Sequence, residues 1–365
     1  MKRQVHVEDL INQQQLSWFH AIVILVSFLV MVLDGYDVAI MGFVAPQLRV
    51  DWMLSADALG AVLSAALIGQ AVGALAGGPL ADRFGRRPIV LASVACLGVW
   101  TIATAACSSV TSMAAYRLFT GFGMGAAIPV TSALISELMP RRSRSLMITL
   151  ALCGFTAGGA CGGFLAAWLI PEFGWRSVVL IGGVAPVVLF FLLVATLPES
   201  PKYLMTRVGG EQAILKTMRR ISPGFNFENS VFVSVAPQTV EVAPISELLT
   251  RRLRFGTCML WCAYFCTLFL IYLLNGWLPT LIKEDGGYDI AHSAVATTMF
   301  HIGGPIGALI VGWAMDRWNK QYVLASVFLI AAVCLGITGQ VTGNYVLLCA
   351  SILIIGSCLG AVASA

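Results

Sequence analysis

The stretch Gly78-Pro-Leu-Ala-Asp-Arg-Phe-Gly-Arg-Arg87 is a short charged break between two long apolar runs. Part of it returns 234 residues later as Gly312-Trp-Ala-Met-Asp-Arg317. At both places the segment Val-Leu-Ala-Ser-Val follows, at 90–94 and at 323–327. A hairpin that recurs together with the helix after it predicts a chain built from two related halves.

Apolar residues dominate the chain on both sides of these hairpins. Of 365 residues, 58% are hydrophobic and 11% are charged, whereas a soluble domain carries about 25% charge. This composition excludes a soluble enzyme, a nucleic-acid-binding protein, a coiled coil and a disordered chain. The apolar runs predict an all-α integral membrane protein with ten spans, at about 20–45, 58–79, 88–107, 113–137, 145–170, 177–197, 255–282, 293–315, 321–341 and 344–365.

Basic residues set the predicted orientation of these spans. With the N-terminus in the cytoplasm, the inside segments hold 18 of the 22 Lys and Arg residues and the outside loops hold three. An excess of Lys and Arg in cytoplasmic loops is the usual pattern. We therefore expect a cytoplasmic N-terminus, and the first span is not predicted to be a cleaved signal peptide.

The predicted organisation is a cytoplasmic N-terminal segment (1–19), a six-helix bundle (20–197), a polar, basic cytoplasmic linker (198–254) and a second bundle (255–365). The repeat predicts six helices in the second half as well, yet the sequence ends near the close of the fourth. We interpret the chain as C-terminally truncated, with an incomplete bundle of about four helices.

Several motifs resemble known carriers. The 78–87 hairpin resembles the signature of the major facilitator superfamily, and Pro198-Glu-Ser-Pro201 resembles its usual exit from helix 6. A narrower similarity, to the aromatic acid:proton symporter family, rests on four segments: Leu33-Asp-Gly-Tyr-Asp37, Met41-Gly-Phe-Val-Ala-Pro46, Ser64-Ala-Ala-Leu-Ile-Gly69 and Trp277-Leu-Pro-Thr280. The resemblance implies a bacterial inner-membrane carrier that imports a carboxylate such as 4-hydroxybenzoate, protocatechuate or benzoate with protons, by alternating access. It implies no enzyme activity, no cofactor and no metal.

Asp34 and Asp37 are the sharpest candidates for function. They share one face of the first helix and lie roughly 20 Å from its cytoplasmic boundary at 1.5 Å per residue. An ionised carboxylate at such depth costs about 2.5–3.5 kcal/mol, so burial and mutual repulsion favour a proton on at least one of them. We predict a proton-coupling pair, which the resemblance supports; the alternative is a structural pair neutralised by a neighbouring helix.

Arg117 is the only basic residue predicted inside a span. Its planar guanidinium can hold a carboxylate through two parallel hydrogen bonds, which suits a benzoate-type substrate. The alternative is a permanent ion pair with Asp34 or Asp37, and the two interpretations can coexist.

Charged residues near the hairpins are predicted to gate the cytoplasmic side. Asp82 is expected to pair with Arg141 or Arg142, and Glu137 is a further partner; such a latch breaks when the two halves move. The alternative is that the arginines only set topology. The predicted gating residues are Asp82, Arg83, Gly85, Arg86, Arg87, Glu137, Arg141, Asp316 and Arg317.

The surface that contacts the substrate ring is the least specified part. Tyr264, Tyr272 and Asn275 in the seventh predicted span (255–282) could stack on an aromatic substrate or form hydrogen bonds with it. The same holds for Trp277 and Gln70. His301 could bind a phenolic hydroxyl or relay protons, or bond a backbone carbonyl. The Gly121–Gly125 run and the scattered cysteines are interpreted as helix packing.

The sequence is also compatible with other functions. A carrier for other organic acids or an efflux pump could share this scaffold, and a truncated chain could be an inactive remnant. An intramembrane aspartyl protease requires its two carboxylates on different helices, which Asp34 and Asp37 do not provide. The expected partners are an aromatic carboxylate, protons and the lipid bilayer.

Overall fold

A computed structural model of the chain describes residues 3–207, 211–222, 227, 230–233, 250 and 253–364. Ten of its helices are long and apolar enough to cross a membrane, which confirms the predicted all-α membrane fold. These helices are α2 (Trp18–Asp51), α3 (Ala56–Phe84), α4 (Arg86–Ala105), α5 (Val110–Leu138), α6 (Arg141–Phe173), α7 (Trp175–Thr196), α10 (Arg254–Glu284), α11 (Ile290–Arg317), α12 (Lys320–Thr338) and α13 (Tyr345–Ser364).

Each predicted span corresponds to one of these helices, and the largest errors lie at prolines. The predicted ends at 45 and 79 coincide with Pro46 and Pro79, yet α2 and α3 continue beyond both residues. Proline removes one backbone hydrogen bond, and neighbouring groups in a membrane protein can satisfy the carbonyl that is freed. A proline in a long apolar run therefore did not end the helix.

A small layer outside the spans was not predicted from the sequence. Strand β1 (Arg3–His6) pairs in parallel with β2 (Ser230–Val233), in the register His6 to Val233. Three short helices accompany it, α1 (Val7–Gln13), α8 (Pro201–Met205) and α9 (Glu211–Ile221). Apolar residues of α1 and α9 are buried in one hydrophobic core with residues of the long helices. Much of the predicted linker 198–254 lies outside the described residues.

The chain forms two compact units that do not follow the linear order of the spans. The first contains Met1–Asp37, Leu54–Gly158 and Arg176–Pro237. The second contains Val38–Met53, Gly159–Trp175 and Gln238–Ala365. Helices α2 and α6 therefore contribute to both units.

Glycine brings helices α3 and α5 into backbone contact in the first unit. A Cβ added to Gly121 would lie 2.0 Å from the Ala66 carbonyl oxygen, and one added to Gly125 would lie 2.0 Å from that of Gln70. No larger residue fits there, so the interpretation of these glycines as packing residues is confirmed. Arg117 lies one turn before Gly121 and is held on the same helix.

In the second unit, α13 packs against both α11 and α12. Leu274, Phe300 and Ile352 are part of its apolar core. Asp289 caps α11 by accepting a hydrogen bond from the backbone N–H of His292 at 2.7 Å. This bond stabilises the charged carboxylate and lowers the pKa of Asp289.

Candidate functional site

Helix α2 carries Asp34 and Asp37 into the interior of the first unit. Their exposed fractions are 1% and 0%, although aspartate is among the residues that are almost never fully buried unless paired. The i,i+3 spacing places both on one side of the helix, as predicted. Their surroundings nevertheless differ.

Asp37 is paired with residues from neighbouring helices. Arg117 from α5 approaches both of its carboxylate oxygens, at 2.9 Å to Oδ1 and 2.7 Å to Oδ2. The hydroxyl of Thr101 on α4 donates to Oδ1 at 3.0 Å. Arg117 is 2% exposed, so this is a buried ion pair with an added hydrogen bond, the arrangement that a buried charge requires.

Asp34 has no such partner. Within the described residues, neither of its carboxylate oxygens has a hydrogen-bond partner. Helices α2 and α6 meet closely beside it: a Cβ on Gly35 would lie 1.8 Å from the Phe155 carbonyl oxygen, and one on Gly158 would lie 1.9 Å from that of Val32. The 1% exposed side chain of Asp34 therefore lies beside a close contact between two helix backbones.

The two aspartates are therefore chemically distinct. Asp37 and Arg117 neutralise each other, whereas an ionised Asp34 would be a buried charge without compensation, which costs several kcal/mol. The neutral, protonated form of Asp34 is the one that this environment accommodates. Of the two pairings left open for Arg117, the structure contains the one with Asp37.

The second unit holds other candidates for the ring-binding surface. Asn275 and His301 are buried, and neither Asn275 Oδ1 nor His301 Nε2 has a partner among the described residues. The backbone of α6 lies against the imidazole, because a Cβ on Gly159 would be 2.3 Å from His301 Nδ1. Tyr272 is half-buried, whereas Tyr264 is 56% exposed and lies apart from these buried groups.

The first hairpin turns on Gly85, whose φ of 105° is unfavourable for other residues. Helix α4 begins directly after it, and glycine offers no side chain to cap that helix. Glu199 supplies the cap instead: its Oε1 accepts from the backbone N–H groups of Arg86 at 2.9 Å and Arg87 at 3.2 Å. A carboxylate at a helix N-terminus satisfies exposed donors and opposes the helix dipole.

Arg86 is the charged centre of this hairpin. Its guanidinium lies 2.8 Å from Asp82 and 3.2 Å from Glu137. Glu137 also accepts a hydrogen bond from the Ser200 hydroxyl. Helices α3, α4 and α5 and the start of α8 are thereby joined through Asp82, Arg86 and Glu137.

Other arginines in the region have different roles. The side chain of Arg87 donates to the Val194 carbonyl at 2.6 Å, and the Arg83 carbonyl accepts from Arg207 at 3.0 Å. The predicted pairing of Asp82 with Arg141 or Arg142 is wrong. Asp82 pairs within its own hairpin, Arg141 lies 3.9 Å from Glu8, and Arg142 donates to the Gln14 carbonyl. The N-terminal segment, which was expected only to precede the first span, occupies these arginines.

The second hairpin is simpler. Within the described part of the chain Asp316 forms no ion pair, and Arg317 lies 4.3 Å above the ring of Trp313. Trp318 occupies the position that corresponds to Phe84, and Asn319 caps α12 through a 2.9 Å bond to the Gln321 N–H.

Several residues of these networks were not found from the sequence. Thr101 is an ordinary threonine within an apolar run and gives no signal. Glu199 was visible in the motif at 198–201, but not as a cap for α4. Arg49 and Glu284, at the ends of α2 and α10, form an ion pair at 2.5 Å in the second unit; their opposite charges at span ends were the available signal.

Side chains that could act as metal ligands are dispersed over the part of the chain that the structure describes. It contains no group of three or more His, Cys, Asp or Glu side chains placed to hold an ion. Cys258, Cys262 and Cys266 are all exposed on α10.

The chain is similar in sequence to proteins of known name. The chain is 41% identical to the gallate transporter of Pseudomonas putida, over 97% of this chain and 79% of that protein. It is 40% identical to the 4-hydroxybenzoate transporter PcaK of Pseudomonas aeruginosa, over 99% of this chain and 81% of that protein.

Among solved structures, a D-xylose-proton symporter superposes with a TM-score of 0.70 at 18% identity, covering 93% of this chain and 80% of that one. A bacterial homologue of the human lysosomal transporter Spinster gives 0.72 at 16% identity, covering 95% of this chain and 75% of that one. These likenesses establish the fold. Residues 27–365 match the family model of the Major Facilitator Superfamily. The chain therefore belongs to this superfamily of membrane transporters and is not an enzyme.

Proposed function

We propose that the chain imports an aromatic carboxylate, of the 4-hydroxybenzoate, gallate, protocatechuate or benzoate type, by proton symport with alternating access. Relatives about 40% identical are named for 4-hydroxybenzoate and gallate. The observation that carries the coupling proposal is the unequal pair on α2. Asp37 is paired with Arg117, whereas Asp34 is buried and has no hydrogen-bond partner among the described residues. We place the protein in the bacterial inner membrane with its N-terminus in the cytoplasm.

Asp34 is the proposed proton site. It holds a proton while it is buried and releases the proton when water reaches it, because only hydration or a new cation can stabilise its charge. Asp37 keeps Arg117 neutralised while no substrate is bound.

Arg117 is the proposed substrate anchor. Its Nε–H has no acceptor within the described residues, so the guanidinium has a donor left while it holds Asp37. A substrate carboxylate that accepts a hydrogen bond from the Nε–H would share the positive charge of Arg117 with Asp37. A proton on Asp34 then limits the negative charge in the site. Cotransport of one anion with protons follows from this charge balance.

The remaining predicted residues take supporting roles. Within the second unit, Asn275 and His301 each have a polar atom with no partner among the described residues and are candidates for hydrogen bonds to a hydroxyl group. Tyr264 and Tyr272 are weaker candidates. The cluster around Arg86 and Glu137 is the proposed cytoplasmic latch. Arg49 and Glu284 are the proposed counterpart near the opposite ends of their helices.

Two assays in proteoliposomes separate the roles of the aspartates. One measures accumulation of radiolabelled 4-hydroxybenzoate driven by a pH gradient, with and without a protonophore. The other measures exchange of external label for unlabelled substrate inside. Asp34→Asn mimics a permanently protonated site, so it should abolish gradient-driven accumulation and retain exchange. Asp37→Asn leaves Arg117 unpaired and should abolish both.

Asp51→Asn is the matched control, since Asp51 is an exposed aspartate on the same helix, and it should change neither assay. Accumulation by Asp34→Asn at the unaltered level would remove Asp34 from the coupling mechanism. Transport that is insensitive to the protonophore would contradict symport. Export of the substrate without uptake would indicate an efflux pump. Exchange of non-aromatic acids alone would indicate a carrier for other organic acids.

A further inference from the structure

A cavity of about 370 Å³ opens where the start of α2, the end of α7 and the last turn of α9 meet in the first unit. Trp18, Phe19 and Ile22 form an apolar wall on one side, and Ala195 continues this wall on α7. Arg219 and Arg220 line the same cavity from α9. The cavity is thus apolar along the spans and strongly basic at the layer outside them.

No contact within the described part of the chain explains why α9 ends with two arginines. Within the described residues neither forms an ion pair or a hydrogen bond with a carboxylate, and both are exposed. The opposite side of α9 holds the helix in place, because Ile214, Met218 and Ile221 are buried in the core. Two positive charges that have no ion-pair partner among the described residues are therefore held next to each other on α9.

The apolar wall lies at the boundary of the spans. Trp18 is the first residue of α2 and is 80% exposed, and Thr196 is the last residue of α7. Tryptophan is enriched at the level of lipid headgroups, where its ring is apolar and its N–H can bond to polar groups. A ligand here meets hydrocarbon below and positive charge above.

We propose that this cavity binds an anionic phospholipid, with the phosphate against Arg219 and Arg220 and the glycerol and upper acyl chains against Trp18, Phe19 and Ile22. Arginine recognises phosphate through its planar fork of donors. Basic pockets beside spanning helices are suited to acidic headgroups. A free phosphate would leave the apolar wall uncovered, so the lipid uses the whole cavity.

Quenching by brominated lipids tests the proposal directly. The purified chain is titrated in mixed micelles with phosphatidylglycerol or phosphatidylcholine carrying bromine on the upper acyl chain. The signal of Trp18 is the difference between the unaltered chain and Trp18→Phe. Phosphatidylglycerol should quench this signal at a lower mole fraction than phosphatidylcholine. Arg219→Gln/Arg220→Gln should weaken its binding roughly 30-fold, from about 1 kcal/mol for each basic residue near a headgroup.

Lys216→Gln is the matched control, because Lys216 is exposed on α9 and lies outside the cavity lining; it should leave binding unchanged. Arg219→Lys/Arg220→Lys keeps the charge and should retain most of the binding. The comparison of the two lipids needs no substitution of either arginine, only the subtraction of the Trp18→Phe signal. Equal quenching by both lipids would overturn the proposal. Displacement of phosphatidylglycerol by glycerol phosphate would show a site for free anions and would equally overturn it.

Discussion

The two hairpins that share Asp-Arg after a long apolar helix are built differently. In the first, one glycine separates α3 from α4, Glu199 caps α4, and Arg86 joins Asp82 to Glu137. In the second, two residues separate α11 from α12, and Arg317 stacks on Trp313 of its own helix. Among described residues, Asp316 has no cation to match Arg86.

The difference shows that the repeat preserves a turn and not a network. Asp-Arg is present in both halves, but the residues that make the first hairpin a junction are Gly85, Glu137 and Glu199. Gly85 allows α4 to begin at once, which aims its first N–H groups at Glu199. Without a glycine at that place, Asn319 caps α12 locally and no distant glutamate is required. Substitutions in both hairpins test this difference.

The largest effect is expected at Gly85. Gly85→Ala places a side chain at φ 105° and 2.3 Å from Glu199 Oε2, so it strains the backbone by about 1–2 kcal/mol and displaces the cap of α4. We expect a loss of about 2 kcal/mol or more in equilibrium unfolding in mixed micelles. Gly78→Ala is the control, because no atom lies within 4 Å of its added Cβ. Equal stability of the two variants would mean that the first turn is as tolerant as the second.

The next largest effect is expected at Glu137. Glu137→Gln removes the half-buried charge that Arg86 contacts, and we expect a loss of about 1–3 kcal/mol. A double-mutant cycle with Arg86→Gln should give a clear coupling energy, whereas the cycle of Asp316→Asn with Arg317→Gln should give none. If the coupling energy in the second hairpin were as large as that in the first, the two hairpins would not differ in the way proposed here.

A smaller effect is expected at Arg317. Arg317→Gln removes a cation–π contact at an exposed site, which is worth about 0.5–1 kcal/mol. Trp313→Leu removes this contact and also the edge contact with Trp318, so the double variant should be no less stable than Trp313→Leu alone. Additive losses would indicate that Arg317 acts through another partner.

The smallest effects are expected at the aspartates that define the repeat. Asp82 is 73% exposed, so its ion pair with Arg86 contributes little. We expect Asp82→Asn and Asp316→Asn each to change the free energy of unfolding by less than about 0.5 kcal/mol. A large loss of stability for Asp82→Asn alone would mean that Asp82, and not the glutamates, stabilises the first hairpin.

What the sequence could predict was local. The ten spans follow from apolar runs, and the importance of Asp34 and Asp37 follows from the energetic cost of charge within one span. The choice of Asp37 as the partner of Arg117 could not be made, because both aspartates lie on the same face and the deciding contact with Thr101 comes from a third helix. Strands β1 and β2 have four residues each, too few for a periodic signal. The cap at Glu199 depends on a contact across 113 positions.

The division of α2 and α6 between the two compact units has a consequence for biosynthesis. The second unit includes Val38–Met53 and Gly159–Trp175, which leave the ribosome well before α10 to α13. Gly42, whose added Cβ would touch the Asn275 carbonyl, and Arg49, whose partner is Glu284, must wait for α10. Until then these faces of α2 lack the contacts that they make in the second unit. Expression of α10–α13 alone therefore cannot reconstitute the second unit, whatever linker precedes it.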